Sequence, residues 1–186
     1  MNKQTIESIL RNPSLPFAVH EFAWLSPDGV PFDARVREMC ASNRCGLYNK
    51  TWTCPPGVGD WEALRDECRS YAHALVFTTK HTLDDDFDFE GIQQSGVLHK
   101  QLDRALADAL RTQGIPYLLY SAGGCGLCKT CTYPDAPCRF PERVHRSMEA
   151  CGVDVSALSR ACGLTYNNGP QTVTYFSMLL FPKEKG

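Results

Sequence analysis

Seven of the ten cysteines in this 186-residue chain crowd into two short stretches, 40–54 and 125–138, and that crowding limits the fold more than any other feature. Cysteines placed so close are cross-linked, metal-bound or catalytic, and each outcome fixes the loops that carry them. A chain of this length buries a sizeable core without needing covalent staples, so a single domain over 1–186 is expected. The segment MNKQTIESILRNPSLP has no apolar block of the kind a secretory leader needs, and apolar residues nowhere run far enough to span a bilayer. The expected compartment is the cytoplasm, where thiols stay reduced and are free for metal or catalysis.

Cys125-Gly-Leu-Cys128-Lys-Thr-Cys131, followed by Cys138, has the spacing C-x2-C-x2-C-x6-C. A tight turn brings residues three apart to within about 7 Å, so three thiolates so spaced can face one centre from a wrapped loop. Gly123, Gly124 and Gly126 let that loop turn and let backbone N–H groups approach sulfur, which stabilises thiolate charge. C-x2-C-x2-C is the ligand spacing of ferredoxin-type 4Fe-4S clusters, whereas structural zinc more often takes two separated pairs. The expected cofactor is therefore a 4Fe-4S cluster, one or two in number, with zinc as the alternative.

The other stretch is Cys40-x4-Cys45-x8-Cys54-Pro-Pro. In ferredoxins the remote ligand is often followed by proline, which turns the chain away from the cluster, and Cys54 has that proline. Two ligand assignments stay open. Cys125, Cys128, Cys131 and Cys138 form one site by themselves, or Cys54 completes the run and Cys138 joins Cys40 and Cys45. Either way the seven divide as four and three, so a second centre would have an incomplete thiolate set, as catalytic metal sites do. Cys68, Cys151 and Cys162 sit with apolar helix positions and read as core.

The combination of Arg37-Glu-Met-Cys40, Cys45-Gly-Leu-Tyr48, Trp52-Thr-Cys54-Pro-Pro, Cys125 to Cys131, Pro137-Cys138-Arg139 and Ser147-Met-Glu-Ala-Cys-Gly-Val-Asp-Val155 resembles a cysteine-rich family described as predicted metal-binding proteins (domain of unknown function 2284). The likeness runs from about residue 33 to the C-terminus. It implies iron–sulfur binding in the cytoplasm of anaerobic bacteria and archaea, and it brings no established reaction.

Around these motifs the chain alternates helix and strand periods. A short helix is expected over Thr5–Leu10 and a strand over Phe17–Trp24. A helix capped by Asp60 should run to Tyr71, with Trp61, Leu64, Cys68 and Tyr71 on its apolar face. A strand over Ala72–Thr79, a long helix over Gly91–Gln113 and a strand over Pro116–Tyr120 follow. Beyond the second stretch come a helix from Pro141, another over Val155–Ala161 and a strand over Thr172–Phe181. Alternation of this kind predicts an α/β or α+β layered domain, its mixed sheet covered by helices, with the cysteine-rich loops at one sheet edge.

Other chemistries find little support. A net charge of −2 gives no footprint for nucleic acid, and no membrane partner is expected. His20, His73, His81, His99 and His145 show no paired ligand spacing, His145 being nearest the cysteines. Asp84, Asp86 and Asp88 alternate as in a calcium loop, but Phe89 and Ser95 occupy its required Gly and Glu positions. Lys129, Arg139, Arg143 and Arg146 near one stretch, and Arg35, Arg37, Arg44 and Lys50 near the other, balance thiolate charge or receive an anionic ligand or an acidic redox partner. The leading reading is electron transfer to a redox protein partner. The alternatives are an iron–sulfur enzyme with an open metal position acting on a small anionic substrate, and a structural zinc module. No catalytic residue and no oligomeric state follow from the sequence.

Overall fold

Two apolar runs, Ala74–Phe77 and Met178–Phe181, form the middle of a sheet whose two faces are both covered. The computed structural model of the protein describes residues 2–183. Strand β1 is Phe22–Leu25, β2 His73–Thr82, β3 Leu118–Ser121, β4 Arg146–Ser147 and β5 Thr172–Phe181, in the order β1-β2-β5-β3-β4. β2 and β5 pair antiparallel along their full length, from His73 opposite Phe181 to Thr82 opposite Thr172. β1 and β3 add antiparallel, and only β4 runs parallel to its neighbour β3. With helices α1 (Lys3–Leu10), α2 (Ala34–Ala41), α3 (Trp61–Ser70), α4 (Phe89–Thr112) and α5 (Val155–Cys162), the fold is α+β with an open mixed sheet.

The period of two along each strand sorts its side chains between two cores. Leu75, Phe77, Leu119, Leu179 and Phe181 pack with Ile6 and Leu10 of α1 and Leu102, Leu106 and Leu110 of α4. Ala74, Val76, Tyr120, Met178 and Leu180 pack on the opposite side with Leu64 and Cys68 of α3, Cys151, and Leu158 of α5. Because β2 and β5 have apolar neighbours on both faces, each contains a short stretch without polar alternation, Ala74–Phe77 and Met178–Phe181.

Two local expectations are corrected, and one helix is added to those expected. Of Phe17–Trp24 only the part from Phe22 is strand; His20 and Glu21 still exchange backbone bonds with Thr78, at 2.8 and 2.9 Å, but outside the regular ladder. The helix expected from Pro141 is a single turn in which Arg143 and Val144 both donate to the Phe140 carbonyl. The chain then enters β4 and a 3₁₀ turn at Glu149–Cys151. Helix α2, capped by the Asp33 carboxylate on the Arg35 N–H, was not foreseen, since Val36 is its one buried residue and no apolar stripe marks it.

Candidate metal centre

Parallel strands need a long crossover, usually a helix. Between β3 and β4 the chain makes that crossover without helix or strand, and it carries Cys125, Cys128, Cys131 and Cys138. Its shape comes from turns and from ties to the scaffold. Gly126 holds φ +67, a conformation that disfavours any side chain. Lys100 of α4 donates to the Gly124 carbonyl, and the Gly123 N–H points to Glu149 Oε2 at 3.4 Å. Arg139 Nη1 donates to the Thr130 carbonyl and Thr132 Oγ1 to the Pro137 carbonyl, both at 2.9 Å, closing the loop on itself. All four cysteines thereby line one cavity of about 380 Å3, within reach of Leu47 and Trp52 from the other stretch. Cys138 Sγ accepts the Phe140 N–H at 3.4 Å, a bond of the kind that steadies a thiolate.

The first stretch is gathered beside this loop. Cys40 lies in the last turn of α2, and Cys45 and Cys54 lie in the irregular segment leading to α3. Thiolates at Cys54 and Cys45 lie near enough to Cys40 to raise its pKa, after the larger effect of burial and that of Glu149. Cys54 is buried, and a Cβ built on Gly124 would stand 3.9 Å from its sulfur. Two aromatic residues fasten the stretches together. Trp52 and Tyr133 meet edge to face at 4.9 Å, Trp52 Nε1 donates to the Ala136 carbonyl at 3.2 Å, and the Tyr133 hydroxyl bonds Asn49 Oδ1 at 3.2 Å.

Cys138 thus lines the cavity with Cys125, Cys128 and Cys131, Cys54 lies beside its Gly124 wall, and Cys40 and Cys45 lie near Cys54. All ten thiols are free. Cys68 and Cys151 are fully buried in the core, their pKa values pushed up to about 12 by loss of hydration. Burial also pushes Cys125 up, against the pull of the Leu127 N–H and the Lys100 ammonium, while Cys138 adds to the rise. Among the described residues no three His, Cys, Asp or Glu donors converge closely enough to hold a single ion.

Several of the flanking cations have structural partners. Arg37 donates to the carbonyls of Ala150 and Gly59, Arg35 pairs with Asp33, and Arg146 pairs with Glu67. Lys50, Lys129 and Arg139, the last also tied to the Thr130 carbonyl, line the cysteine cavity and make it cationic. No spacing singled out Lys100, and Glu149 stood only as one residue of the 147–155 motif; they reach the loop from α4 and the 3₁₀ turn. Lys100 sits one turn below Gly96 on α4, a placement legible only once the helix packs on the sheet. His145 enters a small polar cleft with Asp103, Lys100, Arg104 and Cys125.

A family model described as "Predicted metal-binding protein (DUF2284)" matches residues 23–181. No curated protein and no solved structure matches the chain. Among the described residues no helix is long and apolar enough to cross a membrane.

Proposed function

This chain belongs to the predicted metal-binding family just described, and from that premise we propose that it carries an iron–sulfur cluster on Cys125, Cys128, Cys131 and Cys138 and exchanges electrons with a protein partner in anaerobic metabolism. The observation that carries the reading is the common cavity: four free cysteines line it from one crossover that has no regular secondary structure of its own. A long irregular crossover is costly to order, and ligation supplies the missing order.

The donor set fits a polynuclear centre by its chemistry. Four thiols face one cationic cavity, with a backbone N–H on Cys138 Sγ. A single tetrahedral zinc needs sulfurs within roughly 3.8 Å of each other, from Zn–S bonds of about 2.3 Å. In a cluster each of the four sulfurs would bind a different metal atom, and the C-x2-C-x2-C spacing of Cys125, Cys128 and Cys131 is the one such clusters use. When bound, such a cluster supplies a one-electron carrier. The protein's part is to hold it: Lys50, Lys129 and Arg139 offset the thiolate charge, the N–H of Phe140 steadies Cys138, and Trp52 with Leu47 restricts water. Cys40, Cys45 and Cys54 form an adjoining group of three thiols, whose role in this reading is a second, incompletely thiolate-ligated centre.

Anoxic isolation followed by assay of iron, acid-labile sulfide and zinc tests the reading. Iron and sulfide in equal amounts, lost in Cys128→Ser, are expected. A colourless protein containing zinc alone overturns it.

A further inference from the structure

A second cavity of about 350 Å3 opens on the other side of the cysteine crossover, between α4, β5 and the 3₁₀ turn at Glu149–Cys151. Its size sits at the small end of ligand pockets, enough for a compact metabolite and too little for a nucleotide cofactor. Most of its wall is apolar: Phe176, Tyr175, Met148 and Val155 line it, and Tyr166, half exposed, leans over Phe176 with ring centroids 5.8 Å apart. The wall is also held in shape. Tyr175 Oη donates to the Ile92 carbonyl of α4 at 2.6 Å, and a side chain at Gly96 would press that hydroxyl, its Cβ standing 3.3 Å away. A glycine inside a helix costs about 1 kcal/mol relative to alanine, and here its bare backbone makes room for the tyrosine.

Two charged side chains enter this apolar pocket, Lys100 and Glu149, and they carry opposite signs. Burial lowers the pKa of Lys100, and Asp103 and, to a lesser degree, Glu149 oppose that shift, yet Lys100 and Glu149 make no ion pair within 4.0 Å among the described residues. Each also keeps unused hydrogen-bonding capacity. Lys100 gives one hydrogen to the Gly124 carbonyl, and an ammonium has three. Glu149 accepts the Ser147 hydroxyl at 2.7 Å and the Gly123 N–H through Oε2 alone, leaving Oε1 without a donor among the described residues. Opposite charges held apart across a small apolar cavity complement a molecule that carries both signs at one end and an apolar body at the other.

We infer that this pocket binds a free apolar α-amino acid, its carboxylate on Lys100, its ammonium on Glu149 and its side chain against Phe176, Tyr175 and Tyr166. The site stands whatever metal the cysteines hold. It shares a wall with the cysteine loop, because the two residues that grip the ligand also hold Gly123 and Gly124.

The test is calorimetric titration of the anoxically isolated, metal-loaded protein with L-leucine, L-methionine and L-phenylalanine. The controls are the deaminated and decarboxylated analogues: 4-methylpentanoate and isopentylamine, 4-(methylthio)butanoate and 3-(methylthio)propylamine, 3-phenylpropanoate and 2-phenylethylamine. At least one amino acid should bind saturably, about tenfold or more tighter than either of its analogues. Glu149→Gln, which keeps an acceptor for Ser147, should erase that preference over the deaminated acid while leaving the acid's own binding in place. Tyr166→Ala, at an exposed position, should weaken the amino acid about threefold to tenfold. No saturable heat from any of the three, or analogues that bind as tightly as the parent, overturns the inference. Iron and sulfide content measured on the same samples keeps that failure distinct from failure of the cluster reading.

Discussion

The ring of Tyr133 fills the space into which a side chain at Gly57 would grow. A Cβ there would stand 2.8 Å from Tyr133 Cε2 and 2.6 Å from the carbonyl oxygen of Thr51. The two cysteine stretches meet at this contact, with Trp52 on one flank and Asn49 on the other. Because one of the colliding atoms belongs to the backbone, the loops must separate to admit a methyl group. Gly57→Ala should cost about 1–3 kcal/mol in a urea unfolding titration and lower the metal content of isolated protein. Unchanged metal content in a folded variant would separate the clamp from the centre.

The buried thiols should part from the others in chemical reactivity. Cys68 and Cys151 are fully buried with pKa values pushed up to about 12, so they carry almost no thiolate at pH 8, while Cys45 is exposed. After chelation of metal, iodoacetamide should label Cys45 in the native protein and reach Cys68 and Cys151 only in denaturant, as read by peptide mass mapping. Cys68→Ala should keep its metal and lose about 1 kcal/mol of stability. Cys128→Ala should lose the metal.

What was legible in the sequence follows from the physics of each segment. Val155–Cys162 and Thr172–Phe181 were readable because Asp154 caps one, Gly163 stops it, and a β-branched and aromatic start leading into the apolar run Met178–Phe181 marks the other. α3 was readable from the Asp60 cap and the spacing of Trp61, Leu64 and Cys68. α2 was hidden because Arg37 replaces packing with bonds to the Ala150 and Gly59 carbonyls, which leave no periodic apolar signal. At the centre, the C-x2-C-x2-C spacing announced a wrapped loop and the structure placed Cys138 on the same cavity. Lys100 and Glu149 could not be found that way, since one lies on a helix far upstream and the other beyond β4, and only strand pairing brings them to Gly124 and Gly123.

A buried polar chain behind the sheet sets the response to acid. His81 Nε2 meets Thr79 Oγ1 at 2.9 Å, Thr79 Oγ1 meets His99 Nδ1 at 2.8 Å, and His99 Nε2 meets Ser177 Oγ at 2.9 Å. Asp103 lies 3.8 Å from His99, too far for a hydrogen bond, and Ser121 donates to its other oxygen. Burial lowers His81 to about 4 and His99 to about 3, and raises Asp103 to about 6. Between pH 6.5 and 4 the unfolded chain therefore takes up protons on both histidines that the folded protein refuses, which lowers stability as pH falls. Asp103 acts in the opposite sense from pH 6 down to its ordinary 3.8, where the folded state holds the extra proton. Two histidines outweigh one aspartate, so the urea midpoint should fall from pH 6.5 to pH 4. The fall should steepen in Asp103→Asn and flatten in His99→Gln.

The start of α3 offers a change that should touch stability and leave the centre alone. The Asp60 carboxylate accepts the N–H groups of Glu62 and Ala63, both at 3.0 Å, and satisfies donors that the first helical turn cannot bond internally. Trp61 follows at once and packs beside Gly152, so the cap also sets where the second core begins. Cys54 lies upstream, held by its own turn through the Thr51 carbonyl and by the Trp52 and Tyr133 contacts, none of which involves the Asp60 side chain. Asp60→Ala should therefore cost about 1 kcal/mol in thermal or urea unfolding, and Asp60→Asn, which keeps the acceptor, only a few tenths. Metal content should match the parent protein in both. A drop in bound metal in Asp60→Ala alone would mean that the first turn of α3 orders the cysteine segment before it, contrary to the independence argued here.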